Sequence, residues 1–214
     1  MKTHVFIPDR EKIRAAHRAG EPKTFIAEVQ EQIGPVLEYI SIVTHKKDIP
    51  ALRWMLTELT INANAALERS PAGDDEPSTS ELAIVATVRE SSRDFEVLVK
   101  NSGKPTEKDR CEIARRFRDY TGTRREIEAL REKHTEADGI VKIPGTTGGG
   151  GLAILECIRR AKESGLFFAF YIDSQTRPMT VFRIASYPIE CANKSSDMVQ
   201  QAGRGGAENR APRP

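Results

Sequence analysis

The chain lacks most of what would commit it to a membrane, a secretory route or a nucleic acid. Among 214 residues there are three cysteines, Cys111, Cys157 and Cys191, an odd number, far apart and without a CxxC pair. That pattern argues against a disulfide framework or a zinc site, leaves all three structural or incidental, and makes a reducing cytosol the expected setting. The longest apolar run, residues 166–172, is far below the ~20 residues a membrane span needs. The N-terminal residues turn charged at Asp9-Arg10-Glu11-Lys12, so no signal-peptide core is expected. A net charge of only +2 excludes any global argument for nucleic acid or an anionic membrane surface. No internal repeat is present. What remains, with 38% hydrophobic and 30% charged residues, suits one sizeable soluble domain.

Residues 1–21 read as a polar N-terminal extension with a short helix around 11–18. Phe25, Ile26, Val29 and Ile33 follow helical spacing. Gly34-Pro35 is expected to interrupt that helix, with Pro35 opening another that carries Val36, Leu37, Ile40 and Val43. Pro50 begins a third, in which Leu52, Met55, Leu56, Leu59 and Ala63 form an apolar stripe flanked by Glu58 and Asn62. Residues 70–80 are a loop by composition. Residues 82–88 and 95–100 form a hairpin turning at 91–94. Residues 106–134 read as charged helix with a thin apolar edge of Ile113, Phe117 and Tyr120. A loop to Gly151, a helix over 152–162 and a hairpin of 166–172 with 179–184 complete the domain. Residues 189–214 are expected to be a disordered tail. Hairpins with helices between them predict a two-layer α/β sandwich of the α+β class, with helices on one face.

Two stretches almost ninety residues apart look like halves of one nucleotide pocket. In Glu58-Leu59-Thr60-Ile61-Asn62-Ala63 a carboxylate and an amide, spaced i,i+4, share one helix face. That arrangement suits holding a metal ion and steering a water beside a phosphate. In Gly148-Gly149-Gly150-Gly151-Leu152-Ala153-Ile154 a glycine run opens into a helix, leaving bare N–H groups at its positive end.

In this order the motifs resemble the ATP-binding domain of the GHKL superfamily, which includes DNA gyrase, heat-shock chaperones, histidine kinases and mismatch-repair MutL proteins. The resemblance covers about residues 25–188, in a domain taken as 22–188. It implies a Bergerat-type fold with a mixed, largely antiparallel sheet, ATP and Mg2+ as cofactors, and a lid over about 104–147. Glu58-x-x-x-Asn62-Ala63 matches the N-box, implying Asn62 as magnesium ligand and Glu58 as the base that prepares the attacking group. Asn101-Ser102-Gly103 falls where the family has Asp-x-Gly, so Asn101 would accept from the adenine amino group without charge assistance and Gly103 would let the base approach. Gly149, Gly151 and Leu152 match the G2 box of histidine kinases, with Thr147 where a further glycine is usual. Thr180 matches a late strand threonine that helps hold adenine.

Arg115, Arg116, Arg118, Arg124 and Arg125 of the expected lid either approach a γ-phosphate or form a solvated face. Ala65 stands where histidine kinases often carry a cation. His45-Lys46-Lys47-Asp48-Ile49-Pro50 mimics a phosphoacceptor motif but lies on the approach to the N-box helix itself, so a phosphoacceptor is expected on another chain. The resemblance implies a cytoplasmic protein kinase acting on a partner such as a response regulator or sigma-factor regulator, with homodimerisation left open. The rival expectations are an ATP-hydrolysing switch and a non-catalytic nucleotide sensor.

Overall fold

The computed structural model describes residues 1–69, 81–102, 107–120, 123–134, 152–173, 179–187 and 199–201. The chain opens with β1 (Lys2–Phe6) and α1 (Arg10–Arg18), followed by α2 (Pro22–Ser41), a 3-10 turn at Lys46–Asp48 and α3 (Ile49–Arg69). A hairpin of β2 (Leu82–Arg89) and β3 (Asp94–Asn101) precedes α4 (Glu107–Asp119) and α5 (Arg124–His134). Then come α6 (Leu152–Glu163), β4 (Phe167–Asp173), β5 (Met179–Ala185) and β6 (Val199–Gln201).

One sheet, in the order β1-β2-β3-β5-β4-β6, carries all six strands. Alternation decides which face is buried. Ile84, Ala86 and Val88 of β2, Val97 and Val99 of β3, Phe168 and Phe170 of β4, and Phe182 and Ile184 of β5 form one core with the helices. The helices contribute Val36 and Ile40 of α2, the α3 stripe, and Leu155 and Ile158 of α6. Period-2 strands meeting period-3.6 helices on a single face make an α+β two-layer arrangement, as expected. Every strand pairing among the described residues is antiparallel, where a mixed, largely antiparallel sheet was expected.

Four local expectations are revised. Pro35 lies inside a continuous α2 rather than opening a new helix. A proline costs the helix one hydrogen bond, but Val29, Ile33, Val36, Leu37 and Ile40 are all buried along one unbroken stripe, which outweighs that loss. Residues 1–21 are more than a polar extension, since β1 pairs with β2. Asp9 also caps α1 by accepting from the N–H groups of Glu11 and Lys12, each at 3.1 Å. The charged stretch over 106–134 is two helices. Thr123 starts the second by accepting from the Glu126 N–H at 3.3 Å, as an N-cap does. Within the expected tail, Val199–Gln201 pairs with β4; the rest of that segment lies outside the described residues.

The end of α6 fixes how the last hairpin meets the helices. Leu166 N–H reaches back to Ala161 O at 2.7 Å and Gly165 N–H to Lys162 O at 3.1 Å, the double bond of a Schellman motif. Gly165 takes φ 65° there, a left-handed conformation that glycine adopts without a Cβ penalty. The chain therefore reverses at once, and α6 runs back along β4.

Candidate functional site

Helix α3 presents two kinds of side chain. Leu52, Met55, Leu56, Leu59 and Ala63 turn into the core, all essentially without solvent contact. Glu58 and Asn62 sit beside that stripe, half-buried, one turn apart on the same face. Among the described residues neither side chain has a hydrogen bond or ion pair.

The neighbour of that face is α6. The Arg160 guanidinium lies 4.4 Å from the centroid of the Trp54 ring, a cation–π distance. One turn along α3, the Glu58 carboxylate interacts with Arg160 and Glu156 and bears on the Cys157 thiol. The face of α3 that carries Trp54 and Glu58 therefore meets α6.

Burial is the main influence on Glu58: it pushes the carboxyl above its ordinary value, Glu156 adds to the shift, and Arg160 opposes it. Glu156 is itself held by Arg131 at 3.1 Å and Arg159 at 2.8 Å. Cys157 is fully buried, and desolvation raises its thiol well above the usual range. A thiol so placed is inert, in keeping with a structural role.

The sheet brings a second pair of candidates together. Asn101 ends β3 directly opposite Thr180 at the start of β5, although 79 residues separate them in sequence. Leu82 and Ile172 extend the same row on either side. Asn101 and Thr180 are both buried, on the face that carries Val99 and Phe182 and hence on the helix side. Because α6 reverses into β4, its N-terminal end lies near the far end of β4, where Ile172 belongs to this row. The lengths agree: about 18 Å for a twelve-residue helix and about 23 Å for a seven-residue strand. Asn101 and Thr180 stand together at one end of the sheet, and Glu58 lies separately on the face of α3 that meets α6.

Gly103, Gly149 and Gly151 lie outside the described residues. Leu152 is the first residue of α6 and packs on the core. Several arginines of the expected lid are already engaged. Arg115 and Arg116 share Glu112, at 2.7 and 3.2 Å, and Arg118 pairs with Asp119 at 2.8 Å. Arg116 is itself buried, as are Phe117 and Ile127, so parts of α4 and α5 belong to the core rather than to a free cover.

Sequence reasoning missed two features. One is the Trp54–Arg160 stack beside Glu58; the signal was the sole tryptophan standing one turn before that carboxylate. The other is Asn64, buried on a different face from Asn62. Its Oδ1 accepts from Arg10 Nε at 3.3 Å, and its Nδ2 donates to Glu68 at 3.1 Å. The first of those bonds ties α1 to α3, and the second holds the Asn64 amide within α3.

Among the described residues no cluster of three or more His, Cys, Asp or Glu side chains is placed to hold a metal, and no helix is long and apolar enough to cross a membrane. Comparison with known proteins finds no family model, no curated protein and no solved structure that matches the chain.

Proposed function

We propose that this chain is a magnesium-dependent ATP-binding module of the histidine-kinase-like ATPase type, with a Bergerat-type fold, that passes the γ-phosphoryl group to a partner protein. One observation carries the reading. Asn101 and Thr180, distant in sequence, stand directly opposite each other where β3 ends and β5 begins.

The donor chemistry suits Mg·ATP. Asn62 offers an amide oxygen that no described neighbour uses, and a hard cation prefers oxygen ligands. When bound, Mg·ATP would supply the transferable phosphoryl group and the charge that the ion neutralises. Asn101 would accept from the adenine amino group, Thr180 would buttress that contact, and the backbone at Gly149 and Gly151 would receive phosphate. Glu58, its carboxyl raised by burial, is suited to taking a proton from the attacking hydroxyl or imidazole. Positioning and electrostatics would supply most of the catalysis. The partner would be a response regulator, a sigma-factor regulator or a similar cytoplasmic protein.

A second reading has its own support. Glu58 is lodged in the α3–α6 seam beside Arg160, and Asn101 and Ala65 depart from the kinase pattern, which favours a nucleotide sensor without turnover. Incubation with γ-labelled ATP and magnesium, wild type beside Glu58→Ala, separates the readings. Label transferred to an added partner and lost in the variant supports the kinase. Phosphate release lost in the variant supports an ATP-driven switch. Binding without turnover in both proteins supports the sensor.

A further inference from the structure

Strand β1 closes one side of the sheet, and among the described residues nothing pairs with its outer edge. Such an edge offers a row of unpaired N–H and C=O groups, which proteins commonly guard with charge, proline or a bulge. Here the guard is weak. The strand Lys2–Phe6 has no carboxylate and no proline, and its single lysine is neutralised within the chain by Glu90, 2.8 Å away. Apolar side chains also gather at this edge. Of the five large hydrophobic residues exposed among the described residues, Met1 (86%), Val5 (54%) and Ile7 (71%) belong to β1 or its flanks. Thr3, 3.1 Å from Thr87, and Val5 share one sheet face by strand alternation.

We propose that a second copy of this chain adds antiparallel to the outer edge of β1, joining two sheets across a two-fold axis near His4. A two-fold pairing must be self-complementary, and this strand satisfies that demand. With the axis at His4, Lys2 of one copy stands opposite Phe6 of the other, and Thr3 opposite Val5. No acidic pair and no lysine pair is opposed; His4 meets its own copy. An apolar exposed edge without acidic residues fits a copy of itself better than a charged peptide. A five-residue ribbon flanked by Met1 and Ile7 buries less than a standard interface of about 800 Å² per partner, so association in the micromolar range is expected.

Sedimentation of the full chain in reducing buffer, which keeps the exposed Cys111 from crosslinking, tests this. The mass at about 100 µM should be twice 23.8 kDa and fall toward one copy on dilution to about 1 µM. Val5→Lys with Ile7→Lys should leave a single copy at both concentrations, with unchanged circular dichroism because both side chains are exposed. Hydrogen exchange needs no substitution: β1 amides should exchange several-fold more slowly in the concentrated sample. A single-copy mass at the higher concentration overturns the proposal. So does a dimer that persists in the double variant, or one whose β1 amides exchange as fast as in dilute solution. None of these readouts depends on nucleotide.

Discussion

Phe117 decides how much of the segment after β3 can move as a lid. Its side chain is 2% exposed, and its ring centroid lies 5.1 Å from that of Phe168, which stacks at 6.0 Å on Phe182. Phe117→Ala removes a ring from that aromatic row and leaves a cavity against β4. Truncations of this kind cost about 3–5 kcal/mol. For a domain of this size each kcal/mol shifts Tm by about 2–4 °C, so a fall of about 10 °C is expected. Urea denaturation should show the loss as a lower midpoint with an unchanged slope. Arg118→Ala on the same helix is the control. Its side chain is 72% exposed and pairs with Asp119 at the surface, so no measurable change in midpoint is expected. A loss below about 1 kcal/mol for Phe117→Ala would refute the docking of α4 and return the whole of 104–147 to the lid.

Glu58→Gln should divide stability from turnover. Burial raises the Glu58 carboxyl, so the folded chain binds that proton more readily than the unfolded chain, and the ionised form is a liability at neutral pH. The variant should therefore melt higher than wild type near about pH 7 and lose that advantage as pH falls through the folded value toward the ordinary carboxylate range. An advantage that grows on acidification would contradict the assignment. Phosphoryl transfer should fall about 100-fold or more in the same variant, read by label transfer. Asn101→Ala should weaken ATP binding about tenfold and erode preference for adenine over guanine nucleotides, measured by competition. Asp9→Ala should cost about 1 kcal/mol in thermal melts, because two N–H groups of α1 lose their acceptor.

The helices and hairpins that build the core were legible where one periodicity ran without conflict. The stripe from Leu52 to Ala63 and the alternation of Ile84, Ala86 and Val88 are of that kind. Pro35 was misread because a strong local rule met a stronger tertiary demand, burial of Ile33, Val36 and Ile40 on one helix. β1 escaped notice because Lys2, Thr3 and His4 carry no apolar signal and its pairing partner lies some eighty residues away. Within the site, the i,i+4 relation of Glu58 and Asn62 follows from helix geometry alone. The adjacency of Asn101 and Thr180 requires a strand order that spacing does not encode, and only the resemblance anticipated it. The Arg160–Trp54 stack was signalled only by the sole tryptophan beside Glu58, because its partner is fixed by how α6 lies against α3.

Calorimetric titration of the purified chain with ATP, with and without magnesium and beside Asn62→Ala, tests the central claim most directly. The account predicts one ATP per chain, taken up more tightly with magnesium, and a magnesium-dependent gain that Asn62→Ala abolishes while leaving the melting temperature nearly unchanged. No uptake of adenine nucleotide by the folded protein, or the same magnesium-dependent affinity in wild type and variant, would contradict it.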